Sequence, residues 1–233
     1  MRVELTDILK RYGKTTALNV PKWTLDEGEI VGLVGRNGAG KTTFLRLVLD
    51  LLQPDYGEIT LDGQPVSKSV DWKARTGSYL DESFLMGFLT ISEYLQFTGS
   101  IYGFQNGTTE RALESFASFL PPRTGDDGNK LIRELSSGNS KKVGIVAAMF
   151  IRPGLLILDE PFASLDPPSQ IRLKRCLLTL ARESGTTMII SSHDLGHVTE
   201  VCSRITVLDE GHIVKNEKTS SATLSELQTY FSS

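Results

Sequence analysis

The sequence predicts an α/β fold built on a parallel sheet, and three observations predict it. Wholly apolar runs at Ile30–Val34 and Leu155–Leu158 read as strands buried on both faces, too apolar for a sheet edge. A glycine-rich run, Gly35-Arg-Asn-Gly-Ala-Gly-Lys41-Thr42-Thr43, separates the first of them from the helix-like Phe44-Leu-Arg-Leu-Val-Leu49. Further apolar runs at 188–191 and 205–208 are separated by helical spacing, the pattern of parallel strands joined by crossovers.

The glycine-rich run has the chemistry of a phosphate-binding loop. Gly35, Gly38 and Gly40 let the backbone curl its N–H groups around phosphate oxygens, with Arg36, Asn37 and Ala39 completing the turn. Lys41 reaches the β and γ phosphates, the Thr42 hydroxyl can ligate Mg²⁺, and Thr43 continues into a helix whose positive N-terminal end faces the anion. The ligand implied is a nucleoside triphosphate. Asp159 and Glu160 follow the strand Leu155–Leu158, and a parallel sheet carries its ligands at the carboxyl edge, where the loop also lies. Asp159 is placed to hold Mg²⁺ through water, and Glu160 to orient and polarise the water that attacks the γ phosphate. Alone, Asp-Glu-Pro after a strand is often a solvated acidic turn; paired with the loop it reads as chemistry.

Between these motifs, Leu135-Ser-Ser-Gly138-Asn-Ser-Lys-Lys142 opens an apolar helix over 143–151. It resembles the signature of ABC-type ATPases, usually written L-S-G-G-Q. With the phosphate loop, the Asp159-Glu160 strand, Ser164-Leu165-Asp166 and His193 it completes the ABC set in order, from residue 3 to about 213. The resemblance implies a P-loop NTPase, with a RecA-like parallel sheet and flanking helices, an antiparallel β subdomain and an inserted helical subdomain. It implies ATP and Mg²⁺ as ligands, and two such domains packed head to tail, each ATP lying between one chain's phosphate loop and the other's signature helix. Ser136, Ser137, Gly138 and Asn139 then contact the partner's nucleotide. A helix cap at Ser136 is the structural reading of the same residues, and both can hold at once. The resemblance also puts His193, ending Ile189-Ile-Ser-Ser-His193, at the γ phosphate, and Tyr12 on the adenine ring by stacking. Outside the motifs, His197 is expected on the exposed face of the next helix and His212 in a turn.

The chain departs from the family pattern at three positions. Asp81 stands where Gln is usual, so the metal set becomes Thr42, Asp81 and Asp159; an ionised Asp offers acceptors only, whereas Gln also donates. Ser137 replaces a Gly, which requires that the backbone there need no positive φ. Asn139 replaces Gln and keeps the amide on a shorter stem. With Lys41, Asp159, Glu160 and His193 all present, the site reads as active.

With 233 residues, 39% of them hydrophobic, the chain can bury one large core. The division expected is a single ATPase domain over 1–217, with β and RecA-like core at about 1–82 and 152–217, a helical subdomain at about 83–151, and a tail at 218–233. Antiparallel strands are expected at 3–9, 17–25 and 56–63. A helix should start at Pro167-Pro168, place Ile171, Leu177, Leu178 and Ala181 on its apolar side, and stop before Gly185. Within the helical region, Ile91-Ser-Glu-Tyr-Leu-Gln-Phe and 109–120 have helical spacing, 121–128 is a loop, and the tail from Glu217 is a polar linker with one short helix. Phe84, Leu85, Met86, Phe88 and Leu89 form an apolar cluster that reads equally as core packing or as a docking surface for a membrane subunit.

Net charge of −3 argues against a nonspecific nucleic-acid surface. Cys176 and Cys202 make no disulfide framework, and a reducing cytosol fits. The N-terminus lacks the apolar core of a signal peptide, and no window approaches the roughly 20 apolar residues that cross a bilayer. The resemblance therefore implies the ATPase subunit of an ABC transporter, closest in look to the bacterial ABC-2 group, which mostly exports. Such a subunit works with a membrane-spanning permease and a second ATPase subunit, in the cytoplasm on the inner face of the membrane. A soluble ABC ATPase acting on ribosomes or DNA is the alternative, though tandem cassettes, a coiled-coil insertion and basic extensions are all missing. An unrelated P-loop kinase would leave the signature segment and His193 unexplained.

Overall fold

A computed structural model describes residues 1–105, 107–122 and 129–232, and in it ten strands form one mixed sheet in the order β5-β4-β1-β2-β10-β9-β3-β8-β7-β6. β1 (Val3–Tyr12), β2 (Thr15–Leu25), β4 (Tyr56–Leu61) and β5 (Gln64–Pro65) are the antiparallel part. β3 (Ile30–Val34), β6 (Thr76–Tyr79), β7 (Leu155–Leu158), β8 (Thr187–Ser192) and β9 (Arg204–Asp209) run parallel to one another, and β10 (His212–Lys218) returns antiparallel along β9. The two parts meet where Asn19 N–H donates to Gly211 O at 2.7 Å.

The sheet sorts its side chains by the two-residue period of a strand. Val31, Leu33, Leu155, Ile157 and Ile189 pack on one face with Phe44, Leu45 and Val48 of α1 (Lys41–Val48) and with the antiparallel strands. Ile30, Val34, Leu156, Leu158, Met188 and Ile190 pack on the other, beneath α4 (Ser137–Met149), α5 (Pro167–Ser184) and α6 (Leu195–Val201). Two separate cores on one sheet are what a strand apolar on both faces requires.

α2 (Ile91–Ile101) and α3 (Thr108–Glu114) stand beside α4, between β6 and β7 in the chain. α2 starts on a capping box in which Thr90 and Glu93 exchange hydrogen bonds. The helical spacing of 109–120 resolves into α3 and a run of turns, which still buries Leu113, Phe116, Phe119 and Leu120 on one side. Of the loop expected at 121–128, residues 123–128 lie outside the described set.

Several expectations need correction. α5 is capped by Asp166, whose carboxylate accepts from Ser169 N–H at 2.7 Å, and closes on Gly185 at φ 63°, but it buries Leu173, Leu177 and Leu180 rather than Ile171 and Leu178, both of which are exposed. Ile171 and Leu178 sit one residue off the i, i+4, i+7 row that faces the sheet. His212 is the first residue of β10; the turn is Glu210-Gly211, both with positive φ. His197 is not on an exposed face: its ring packs 4.7 Å from that of Phe162 and Nε2 lies 3.6 Å from Asp194. β10 runs on to Lys218, and α7 (Thr223–Ser232) follows it. The apolar cluster splits: Leu85 packs against the core, while Phe84 and Phe88 are 55% and 66% exposed.

Candidate active site

The carboxyl ends of β3, β6 and β7 converge on a cavity of about 590 Å³ whose walls are the phosphate loop, the chain after β6, and Asp159 and Glu160. The loop shape depends on its glycines. Gly38 and Gly40 have φ of 84° and 105°, and a Cβ on Gly40 would meet Ala17 O at 2.6 Å. At Gly35 a Cβ would meet Leu208 O at 2.3 Å. No side chain caps α1, so its first N–H groups face the cavity with only Gly40 before them.

Lys41 is 7% exposed, and Nζ donates to Gly35 O at 2.7 Å while lying 3.5 Å from Glu160 Oε1. Thr42 Oγ1 donates to Asp159 Oδ2 at 2.8 Å. Strand register brings Asp159 a second partner: Leu158 lies opposite Ile190, so the next residues, Asp159 and Ser191, meet, and the Ser191 hydroxyl donates to Asp159 Oδ1. Asp159 also falls on the α1 side of the sheet, two residues beyond Ile157. The same Ser191 hydroxyl accepts from Glu160 N–H at 2.9 Å. Glu160 has φ 46°, a left-handed backbone that a non-glycine residue adopts only when its surroundings hold it. Its Oε2 lies 2.8 Å from His193 Nδ1 and accepts from His193 N–H at 3.3 Å.

Asp81 lines the same cavity and accepts from Ser83 N–H at 2.8 Å and from the Ser83 hydroxyl, capping the 3₁₀ turn Glu82–Phe84. The residues suit a magnesium nucleotide: hard oxygen donors on Thr42, Asp81 and Asp159 share one cavity with a buried ammonium and with a glycine loop whose backbone shape a Cβ on Gly40 would not permit. Arg36, Asn37, Gly38, Gly40 and Thr43 line it as well, and Ala39 is buried behind it.

Tyr12, His193 and the four residues from Ser136 to Asn139 stand apart from that cavity. Tyr12, at the end of β1, is exposed, with Lys10 Nζ 5.9 Å from its ring centre. His193 lies on the far side of Glu160, in a smaller hollow with Arg36 and Phe231. Ser136, Ser137, Gly138 and Asn139 form the N-terminus of α4, where the Ser136 hydroxyl accepts from Asn139 N–H at 3.4 Å; both serines are exposed and none of the four lines the cavity. Gly138 itself approaches Ser164 O so closely that a Cβ would lie 2.9 Å away.

Lys141 was not foreseen. It lines the cavity, is 9% exposed, and donates from Nζ to Glu160 O at 3.1 Å and Ala163 O at 2.9 Å. Burial pushes its ammonium below the ordinary lysine range, opposed by the charges of Glu82, Glu160 and Asp159. In sequence it is one of two adjacent lysines in a polar turn of helix, which reads as solvated, and nothing local distinguishes it from Lys142.

Fold and site together define a P-loop nucleoside triphosphatase. The chain belongs to the ABC transporter family, whose pattern matches residues 18–163, and it is an ATP-binding, ATP-hydrolysing cassette of that family. It is 34% identical over 215 residues to the bacitracin transport ATP-binding protein BcrA of Enterococcus faecalis, covering 91% of this chain and 68% of that one. It is 33% identical to the linearmycin resistance ATP-binding protein LnrL of Bacillus subtilis, with the same coverage. The dimeric structure of MJ0796, described as a bacterial ABC transporter cassette, superposes with a TM-score of 0.83 at 26% identity, over 94% of this chain and 99% of that one.

Proposed function

We propose that this chain hydrolyses ATP to drive solute export through a separate membrane-spanning permease, closing as a head-to-tail dimer around two nucleotides. The observation that carries the dimer is the position of the α4 N-terminus: exposed, capped by its own Ser136, and outside the cavity formed by its own phosphate loop. Donors presented at a helix N-terminus with no anion of their own suit a phosphate brought by a second copy. The MJ0796 cassette, also solved as a dimer bound to ADP and Pi in a post-hydrolysis state, supports the same arrangement. Export is favoured by the resistance named for LnrL, at 33% identity, because resistance fits removal of a compound, over the spermidine/putrescine import named for a 29% relative from Pseudomonas aeruginosa.

In this reading Lys41 and the loop N–H groups grip the β and γ phosphates, Glu160 polarises the attacking water, and His193 orients the Glu160 carboxylate. Thr42, Asp81 and Asp159 would hold a magnesium ion, which would supply positive charge against the phosphates. Tyr12 stacks on the base from outside the cavity. The working unit is 1–217, with 83–151 as its helical subdomain and 218–233 as an appended tail. No helix among the described residues is long and apolar enough to cross a membrane, so the permease would hold the chain at the inner membrane face.

The permease seat proposed is a groove of about 340 Å³ between β6, α2, α4 and the turn after Asp81, where Phe84, Phe97 and Ile101 expose apolar surface. A tagged chain drawn from detergent-solubilised membranes is expected to bring one polytopic membrane protein with it, and Phe84→Glu with Ile101→Glu to lose that protein while still binding ATP. Recovery of ribosomes or DNA in its place would overturn the transport reading.

Asp81→Gln is expected to raise ATP turnover, because the amide supplies the donor that the carboxylate lacks. It should also loosen the Glu82–Phe84 turn, by about 1 kcal/mol, since the cap on Ser83 is lost. A steady-state rate at or below the parent's would show that Asp81 is adapted to this site.

A further inference from the structure

The stretch from Glu160 to Ser164 is strained at both ends, with φ of 46° and 63° on two non-glycine residues. Such backbone persists only where neighbours hold it. Here the Ser191 hydroxyl holds its first N–H and α4 holds its carbonyls. Gly138, in the first turn of that helix, lies against Ser164 O, and Lys141, in the second turn, places its ammonium on the carbonyls of Glu160 and Ala163. The Glu160 carbonyl belongs to the same residue whose carboxylate lies between Lys41 and His193. α4 therefore touches the reacting centre through one buried side chain, while Ser136 and Ser137 at its N-terminus are exposed.

We propose that Lys141 is a positioning residue for ATP hydrolysis: by clamping the 160–163 turn from α4 it holds the Glu160 carboxylate at His193 and Lys41, and it couples that carboxylate to the helix that meets the partner's nucleotide. The proposal rests on the ATP-hydrolysing dimer described above. An ammonium suits the task because it carries three donors on a flexible stem and accepts nothing, so it can serve two carbonyls at once without competing for the phosphate-loop N–H groups. The charges of Glu82, Glu160 and Asp159 favour its protonated form and partly oppose the effect of burial.

Lys141→Met keeps an unbranched stem and removes every donor. Expected is a fall in kcat of at least about tenfold, the scale on which a small misplacement of a reacting group acts. ATP affinity should stay within about twofold of the parent's, because neither the loop nor Lys41 is touched, and Lys141→Arg, which can still reach two carbonyls, should recover most of the lost kcat. A smaller fall in kcat, a fall matched by equal loss of ATP affinity, or no recovery with Arg overturns the clamp. Should the Met variant not fold, Lys141→Gln replaces it in the same comparison, and failure of both to fold assigns the residue to folding and likewise overturns the proposal. The parent is assayed alongside: absence of magnesium-dependent ATP turnover there sinks the functional reading itself, whereas parental turnover with an unaffected Met variant sinks only the clamp.

Discussion

Glu160→Gln is expected to bind ATP within about twofold of the parent and to lose turnover by a factor of about 10²–10⁴, the usual contribution of a positioned general base. The substitution preserves shape. A Gln carbonyl oxygen can accept from His193 N–H in place of Oε2, and the Lys41 ammonium keeps its bond to Gly35 O, so the grip on the phosphates is untouched. What disappears is the negative charge and the basicity that polarise water. In the proposed dimer hydrolysis would be the step that reopens it, so the variant should also accumulate as an ATP-dependent dimer on size-exclusion chromatography, while the parent elutes as a monomer after ATP is spent. Turnover at the parental rate would remove Glu160 from the role proposed for it. Loss of turnover without dimer accumulation would leave the chemistry and remove the head-to-tail closure.

The parts of this site that were legible in sequence are those whose chemistry is local. A glycine-rich loop between a buried strand and a helix, and two carboxylates at a strand end, each carry their reason within a few residues, and the structure brings Thr42, Asp159, Glu160 and His193 within hydrogen-bond reach of one another in a chain. β6 was not legible for a physical reason. Thr76-Gly-Ser-Tyr79 has the glycine of a loop, yet Gly77 is there because a Cβ would meet Ala148 O at 2.0 Å, and Gly144 on α4 leaves room for the Tyr79 ring. Two glycines that look like breakers are the means by which α4 approaches the sheet edge. β10 escaped because it alternates between exposed and half-buried positions with polar residues on both, and its partner β9 supplies the order. Lys141 escaped because its partners, Glu160 and Ala163, are distant in sequence and are backbone atoms, which no side-chain pattern announces. On α5, Leu177 and Ala181 pack as expected, but Ile171 and Leu178 are exposed while Leu173 and Leu180 are buried, because all four are equally apolar and only packing against the sheet chooses between the rows.

Lys41→Ala should act on the opposite half of the site and weaken ATP binding itself. A hydrogen bond to a charged group contributes about 1.5–3 kcal/mol, so the loss of the one buried cation at the phosphate loop predicts an affinity lower by about 10–150-fold. The loss is compounded locally. Gly35 O, which accepts from Nζ at 2.7 Å, is left without that donor, and Glu160 Oε1 loses the ammonium 3.5 Å away, so an unpaired carbonyl dipole and a carboxylate now face an incoming triphosphate. Calorimetric titration with a non-hydrolysable ATP analogue and magnesium measures this directly, and undiminished affinity would refute the grip assigned to Lys41. Set beside Glu160→Gln, the variant separates two functions that a simple loss of activity would merge: one protein that holds the nucleotide and cannot cut it, and one that keeps Glu160 and cannot hold it. Only the first should form a persistent dimer, because the closing surface requires the triphosphate to be seated on one chain before the exposed end of α4 in the other can complete it.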